Sequence, residues 1–254
     1  MELQKINLYK RISAWLFDRI LLVIAVIGFA LLFSGILGYD SYSGQLAACQ
    51  ERIAGEYGVT LELSASEYDA LQAEEKSRVD EAMTALNEDP EALYLYSMLL
   101  NLTVVIITFG LLCGFLLLEL AVPLLIGNGQ TLGKKIFGAA VMRRDFVKLP
   151  PVLLFARTVL GKFTLETMVP VLLLLAMSFG FVGLLYVGVI GVLLLIQLIL
   201  LIVTPARTPL HDLIAQTVVV DLASQRIFDT PEAREEYRAR HQSNSGDSPV
   251  KVEL

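Results

Sequence analysis

Cysteine, histidine and tryptophan are scarce in this chain: two, two and one among 254 residues. Cys49 sits in an acidic stretch and Cys113 inside an apolar run, so no disulfide scaffold is expected. With only His211 and His241, no Cys/His set has metal-ligand spacing. Neither a metal nor a cofactor is therefore expected. No basic face interleaved with aromatics appears, which argues against a nucleic-acid partner. The largest absence is charge itself. Thr167–Ala206 runs forty residues without Asp, Glu, Lys or Arg, and Ile20–Tyr39 and Ala92–Leu118 are equally uncharged.

What is present is blocked apolar sequence. Apolar residues make up 55% of the chain and the mean hydropathy is +0.63. A single helix over Thr167–Ala206 would be about 60 Å long, twice the hydrocarbon thickness, so the run has to fold back as two spans. The expected fold class is an all-α membrane protein with four transmembrane helices and a helical extracytoplasmic segment between spans one and two. The expected boundaries are 1–38 for the lead and first span, 39–92 for the acidic segment, and 93–126 for the second span. A basic cytoplasmic linker follows over 127–162, then spans three and four over 163–206. A C-terminal motif occupies 207–222 and a polar tail 223–254, disordered over Ser243–Lys251. The third span starts near Lys162–Glu166. Its hairpin falls at Ser178–Gly183 or at Gly188–Gly191, and the fourth span ends at Thr204-Pro205-Ala206.

The net charge of −6 is unevenly placed. Asp40–Glu91 holds thirteen Asp or Glu against Arg52, Lys76 and Arg78. Basic residues gather elsewhere: Lys5, Lys10, Arg11 and Arg19 before span one, and Lys134, Lys135, Arg143, Arg144, Lys148, Arg157 and Lys162 between spans two and three. Arg207 follows span four. Lysine and arginine near span ends mark the cytoplasmic side. Both termini and the linker are thus expected inside, and the acidic segment outside. Within that segment Ser64-Ala65-Ser66-Glu67 is a capping box. Tyr68, Leu71, Glu75, Val79, Ala82, Met83 and Leu86 follow at helical spacing, and a helix over Gln45–Glu56 ends near Gly58.

The linker opens on Gly127-Asn128-Gly129-Gln130-Thr131-Leu132-Gly133-Lys134-Lys135. A phosphate-binding loop is excluded by spacing, since five residues separate Gly127 from Gly133 and Lys135 stands where Ser or Thr is required. The glycines are expected to allow a tight re-entry at the membrane surface, with the lysines on anionic headgroups. Ile136–Met142 and Thr217–Val220 have strand-like character. Gly180, Gly183, Gly188 and Gly191 could permit close helix packing.

Four blocks together resemble the RDD family of bacterial inner-membrane proteins. They are Arg11-Ile12-Ser13-Ala14-Trp15-Leu16-Phe17-Asp18, the stretch Gly129-Gln130-Thr131-Leu132-Gly133-Lys134-Lys135-Ile136-Phe137-Gly138, Arg157, and Leu210-His211-Asp212 through Val220. They occur in family order over about residues 5–222. The resemblance implies Arg11, Asp18 and Asp212 as the named residues, with Glu119 at a commonly acidic position. It implies a multi-pass protein of the bacterial cytoplasmic membrane, described as a transporter, with cation/proton exchange suggested for some members. Two departures stand out: the long outer segment, and Gln216 where the family has glycine.

Arg11, Asp18, Glu119, Arg157, His211 and Asp212 all fall at the expected cytoplasmic ends of spans. One reading is a clamp, in which arginine–carboxylate pairs fix helix ends. The other is transport: Asp18, with Glu119 or Asp212, exchanges a monovalent cation for a proton while arginine acts as internal counter-charge. A third class, a membrane scaffold docking partners through residues 40–91, is the alternative. An enzyme is not expected, because no nucleophile or metal set accompanies His211-Asp212. The expected partners are the lipid bilayer, a cation or proton, and a second copy or another membrane protein, since four spans enclose little volume.

Overall fold

The computed structural model describes residues 6–178, 184–203 and 209–245. The segment 179–183, Thr204-Pro205-Ala206, Arg207, Lys5 and the tail beyond 245 lie outside the described residues. The hairpin expected at Ser178–Gly183, the end of span four and most of the expected disordered tail therefore lie there too.

Helix α1 spans Leu8–Leu37. It is charged in its first turns and uncharged from Ile20 onward. Helices α2 (Tyr39–Tyr57), α3 (Ala65–Ala70) and α4 (Ala73–Glu88) follow. Helix α5 runs Pro90–Ile126, with a π winding over Leu116–Ala121. A short α6 (Leu132–Ile136) leads to β1 (Ala139–Arg143). Helix α7 is continuous over Pro151–Ser178, with a long π winding over Ala156–Met168. After it come α8 (Leu184–Val203), α9 (Leu210–Ile214), β2 (Thr217–Asp221) and α10 (Pro231–Ser245). Among the described residues three helices, α1, α5 and α7, are long and apolar enough to cross a membrane. The apolar α8 is twenty residues long.

Two expectations need correction. The all-α class omits an antiparallel ribbon, in which β1 pairs with β2 in the register Ala139↔Asp221 through Arg143↔Thr217. The third apolar helix begins at Pro151, upstream of Lys162, because a proline at the first helical turn starts it and no breaker intervenes before Arg157. Glu119 is buried within the second apolar helix, which continues to Ile126 as the expected boundary has it.

The chain forms two compact units. One is Val26–Leu111. Here the capping box at Ser64 starts α3, and α2 ends at Gly58. The expected single periodic helix after Ser64 is broken at Leu71-Gln72, where Gln72 and Glu75 form a second capping box for α4. Cys49, Ile53, Ala82 and Ala92 form the core of this helical segment. Arg52 reaches Asp89 at 2.8 Å, and Asp89 accepts the amides of Glu91 and Ala92 to cap the start of α5. Gly110 lets α5 approach α1 closely, since a Cβ there would lie 3.4 Å from the Val26 carbonyl.

The other unit comprises residues up to Ala25 and from Leu112 onward. Its core is built on the ribbon: Ala140, Met142, Phe146, Val218, Val220 and Phe228, with Tyr237 of α10 packed against them. Lys10 of α1 pairs with Asp221 at the end of β2 at 3.3 Å. The ribbon brings the linker and the C-terminal motif, far apart in sequence, to one place.

Candidate functional site

All six charged residues singled out in the sequence lie in this second unit, as does the glycine block. The elements deliver them differently. Helix α1 presents Arg11, Asp18 and Arg19. The π winding of α5 presents Glu119. The π winding of α7 presents Arg157, Lys162 and Glu166. Spacings of five and four residues put these three on one face when hydrogen bonds run i→i+5. Helix α9 presents His211 and Asp212.

Asp212 is almost fully buried and accepts from Arg157 Nε at 2.6 Å and from the Thr217 hydroxyl at 2.6 Å. Arg11 stands 4.0 Å from its other oxygen. The Arg157 guanidinium beside it holds the Asp212 carboxyl well below the usual carboxylate range, against the cost of burial. Glu119 pairs with Lys162, and both are buried. The Thr158 hydroxyl donates to the Glu119 backbone carbonyl at 2.9 Å, tying α7 to α5. His211 donates its backbone amide to Glu166 at 2.9 Å, and its Nδ1 lies 2.8 Å from the same carboxylate. Burial lowers the His211 pKa below its ordinary value, more than Asp212 and Glu166 raise it. A proton on Nδ1 lets the ring donate to Glu166, and Nε2 on its other side lies 3.7 Å from Asp212.

Asp18 has a different environment. It accepts from the Thr131 hydroxyl at 2.5 Å and from the Gly133 amide at 2.8 Å. Among the described residues no base lies within 4 Å of it. The glycine block builds this contact. Thr131 caps α6, and Gly133 is pressed so closely on α1 that a Cβ would meet the Ala14 carbonyl and lie 2.9 Å from Asp18 Oδ1. Gln130 donates to the Ala139 carbonyl at 2.7 Å, and Gly129 packs under Val141, fixing the block to β1. The expected contact of both lysines with headgroups is not what is seen. Lys135 is exposed, whereas Lys134 is buried with its Nζ 3.2 Å from the Thr131 hydroxyl. The fold turns α6 so that Lys134 faces inward beside Asp18.

These side chains line a cavity of about 450 Å³. Arg11, Arg19, Lys134, Arg157 and Lys162 face Asp18, Glu119, Glu166 and Asp212, with His211 among them. Leu8, Ile12 and Trp15 of α1 form an apolar wall. Sequence reasoning named six of the charged residues and Lys134 as part of the linker. It left Arg19, Lys162 and Glu166 outside the set. The signal for Lys162 and Glu166 was the five-and-four spacing from Arg157, which reads as one face only once a π winding is considered. Thr131 and Thr217, the neutral donors to Asp18 and Asp212, carried no signal beyond their place in the two motifs. Of the glycines offered for packing, a Cβ added at Gly188 or Gly191 would meet nothing within 4 Å among the described residues, and Gly180 and Gly183 lie outside them. The close approaches are at Gly110, Gly133 and Gly161, where a Cβ would lie 2.6 Å from His211 Cβ.

Long apolar helices gathering buried ion pairs at their charged ends define an integral membrane protein with a polar intramolecular cluster. The RDD family model matches residues 7–216, and the chain belongs to the RDD family. No curated protein and no solved structure matches it.

Proposed function

We propose that this RDD protein is a small-solute transporter of the bacterial cytoplasmic membrane that exchanges a monovalent cation for a proton at Asp18. In this reading α8 is a fourth crossing, both termini and the linker face the cytoplasm, and the acidic helical segment faces outside. One observation carries the proposal: Asp18 lines the cavity and is held by neutral donors, whereas Glu119, Glu166 and Asp212 each face a base or histidine. A carboxylate without an ion-pair partner can accept a cation or a proton without ejecting an internal counter-ion. The Thr131 hydroxyl can also rotate to donate or accept as Asp18 changes state.

The test is cation-driven proton flux in proteoliposomes. Asp18→Asn should abolish exchange while Asp40→Asn leaves it unchanged. Flux that survives Asp18→Asn rules out the role. The alternative, a membrane scaffold docking a second copy or another membrane protein through residues 40–91, is favoured by the separate core of that segment. Here deletion of 41–90 should abolish partner capture and leave the cluster folded.

A further inference from the structure

Five basic side chains and four carboxylates line the cavity. Three of the bases are engaged: Arg157 and Arg11 with Asp212, and Lys162 with Glu119. The other two are not. Lys134 is only 9% exposed, and among the described residues its ammonium has the Thr131 hydroxyl but no carboxylate within 4 Å. An ammonium has three donors, so two are unused. Arg19 has no carboxylate within 4 Å among the described residues either. Its guanidinium sits 5.9 Å from the Trp15 ring centroid and 5.8 Å from that of Phe115. A buried ammonium with spare donors is costly unless an anion completes it. The wall beside it is apolar and open: Leu8, Ile12 and Trp15 are 43, 51 and 57% exposed.

We infer that the cavity holds the phosphate of an anionic amphiphile, with Lys134 and Arg19 on the phosphate oxygens and the acyl chains along Leu8, Ile12 and Trp15. Guanidinium and ammonium groups suit phosphate oxygens, and aromatic faces beside the arginine keep its fork in place without consuming its donors. A free phosphate would satisfy the bases but leave the apolar wall without a function. The inference is independent of exchange at Asp18 and survives if that proposal fails.

Trp15 is the only tryptophan, so it reports on this wall alone. The full chain is reconstituted in phosphatidylcholine vesicles holding a small fraction of dibrominated phosphatidylglycerol, or in a control series dibrominated phosphatidylcholine. Trp15 quenching is then read. At equal fraction the brominated phosphatidylglycerol should quench several-fold more strongly. Arg19→Gln and Lys134→Met should each weaken the preference by about fivefold, the worth of one base near an anionic lipid. Arg19 has no ion-pair partner to strand, so its variant keeps the test decisive if Lys134→Met does not fold. Equal quenching by the two lipids, or a preference unchanged in a folded Arg19→Gln, overturns the inference. So does loss of the preference on adding millimolar inorganic phosphate, which would assign the site to a soluble anion.

Discussion

Lys134 sits in a setting far from its ordinary chemistry. Burial penalises its ammonium, and Lys162 and Arg157 repel it. Glu119 and Asp18 attract it, but not enough, and its pKa falls from 10.5 to about 7. The unfolded chain keeps that proton up to the ordinary lysine value. Between about pH 7 and 10.5 the unfolded state therefore binds more protons, and stability rises with pH across this window. Thermal unfolding in detergent at pH 7 and pH 9 should show the rise, and Lys134→Met should remove it. Gly161 gives a steric prediction. A methyl there would sit 2.6 Å from His211 Cβ and 2.8 Å from its Cα. Gly161→Ala should cost about 1–3 kcal/mol, read as a lower unfolding temperature, because the backbone of α9 has to move. Gln216 holds a left-handed φ of +51°, and its carbonyl accepts the Arg144 amide at 3.2 Å. Gln216→Gly should stabilise by about 0.5–1 kcal/mol, since a side chain in that region costs more than glycine's extra chain entropy.

At the scale of elements, the two π windings do the positioning. That of α7 aligns Arg157, Lys162 and Glu166 with three different partners: Asp212, Glu119 and His211. Helices α5, α7 and α9 are thereby cross-linked by charge. Arg157→Met should cost about 3–5 kcal/mol, because it leaves the buried Asp212 carboxylate with Thr217 and the more distant His211 ring and Arg11. Arg157→Met combined with Asp212→Leu should recover much of that loss, as measured in one double-mutant series. The ribbon of β1 and β2 plays the same part for the backbone, holding Thr131 and Gly133 against Asp18 by seating the glycine block on Val141 and Ala139.

At the scale of the whole molecule, two units have separate cores. Ile53, 2% exposed, anchors the helical segment of Val26–Leu111. Ile53→Ala should lower the segment's protection against hydrogen exchange by about 2–4 kcal/mol. Trp15 emission, which reports on the charged cavity, should be unchanged. A shifted Trp15 spectrum would show that the two cores unfold as one.

The sequence by itself determined the long apolar helices, the capping box at Ser64, the end of α2 at Gly58 and the identity of most charged residues. Each is a local matter: uncharged runs, capping side chains and charge placement act within a few residues and are written in order along the chain. Who pairs with whom was decided only in three dimensions. Asp18 faces a threonine and an amide, and Glu119 faces Lys162. Lys134 turns inward while Lys135 stays outside. Those outcomes depend on π windings, on two glycines that let backbones touch, and on a ribbon joining residues near 140 to residues near 220. Burial and charge pairing are properties of neighbours in space, and the linear order of residues does not contain them.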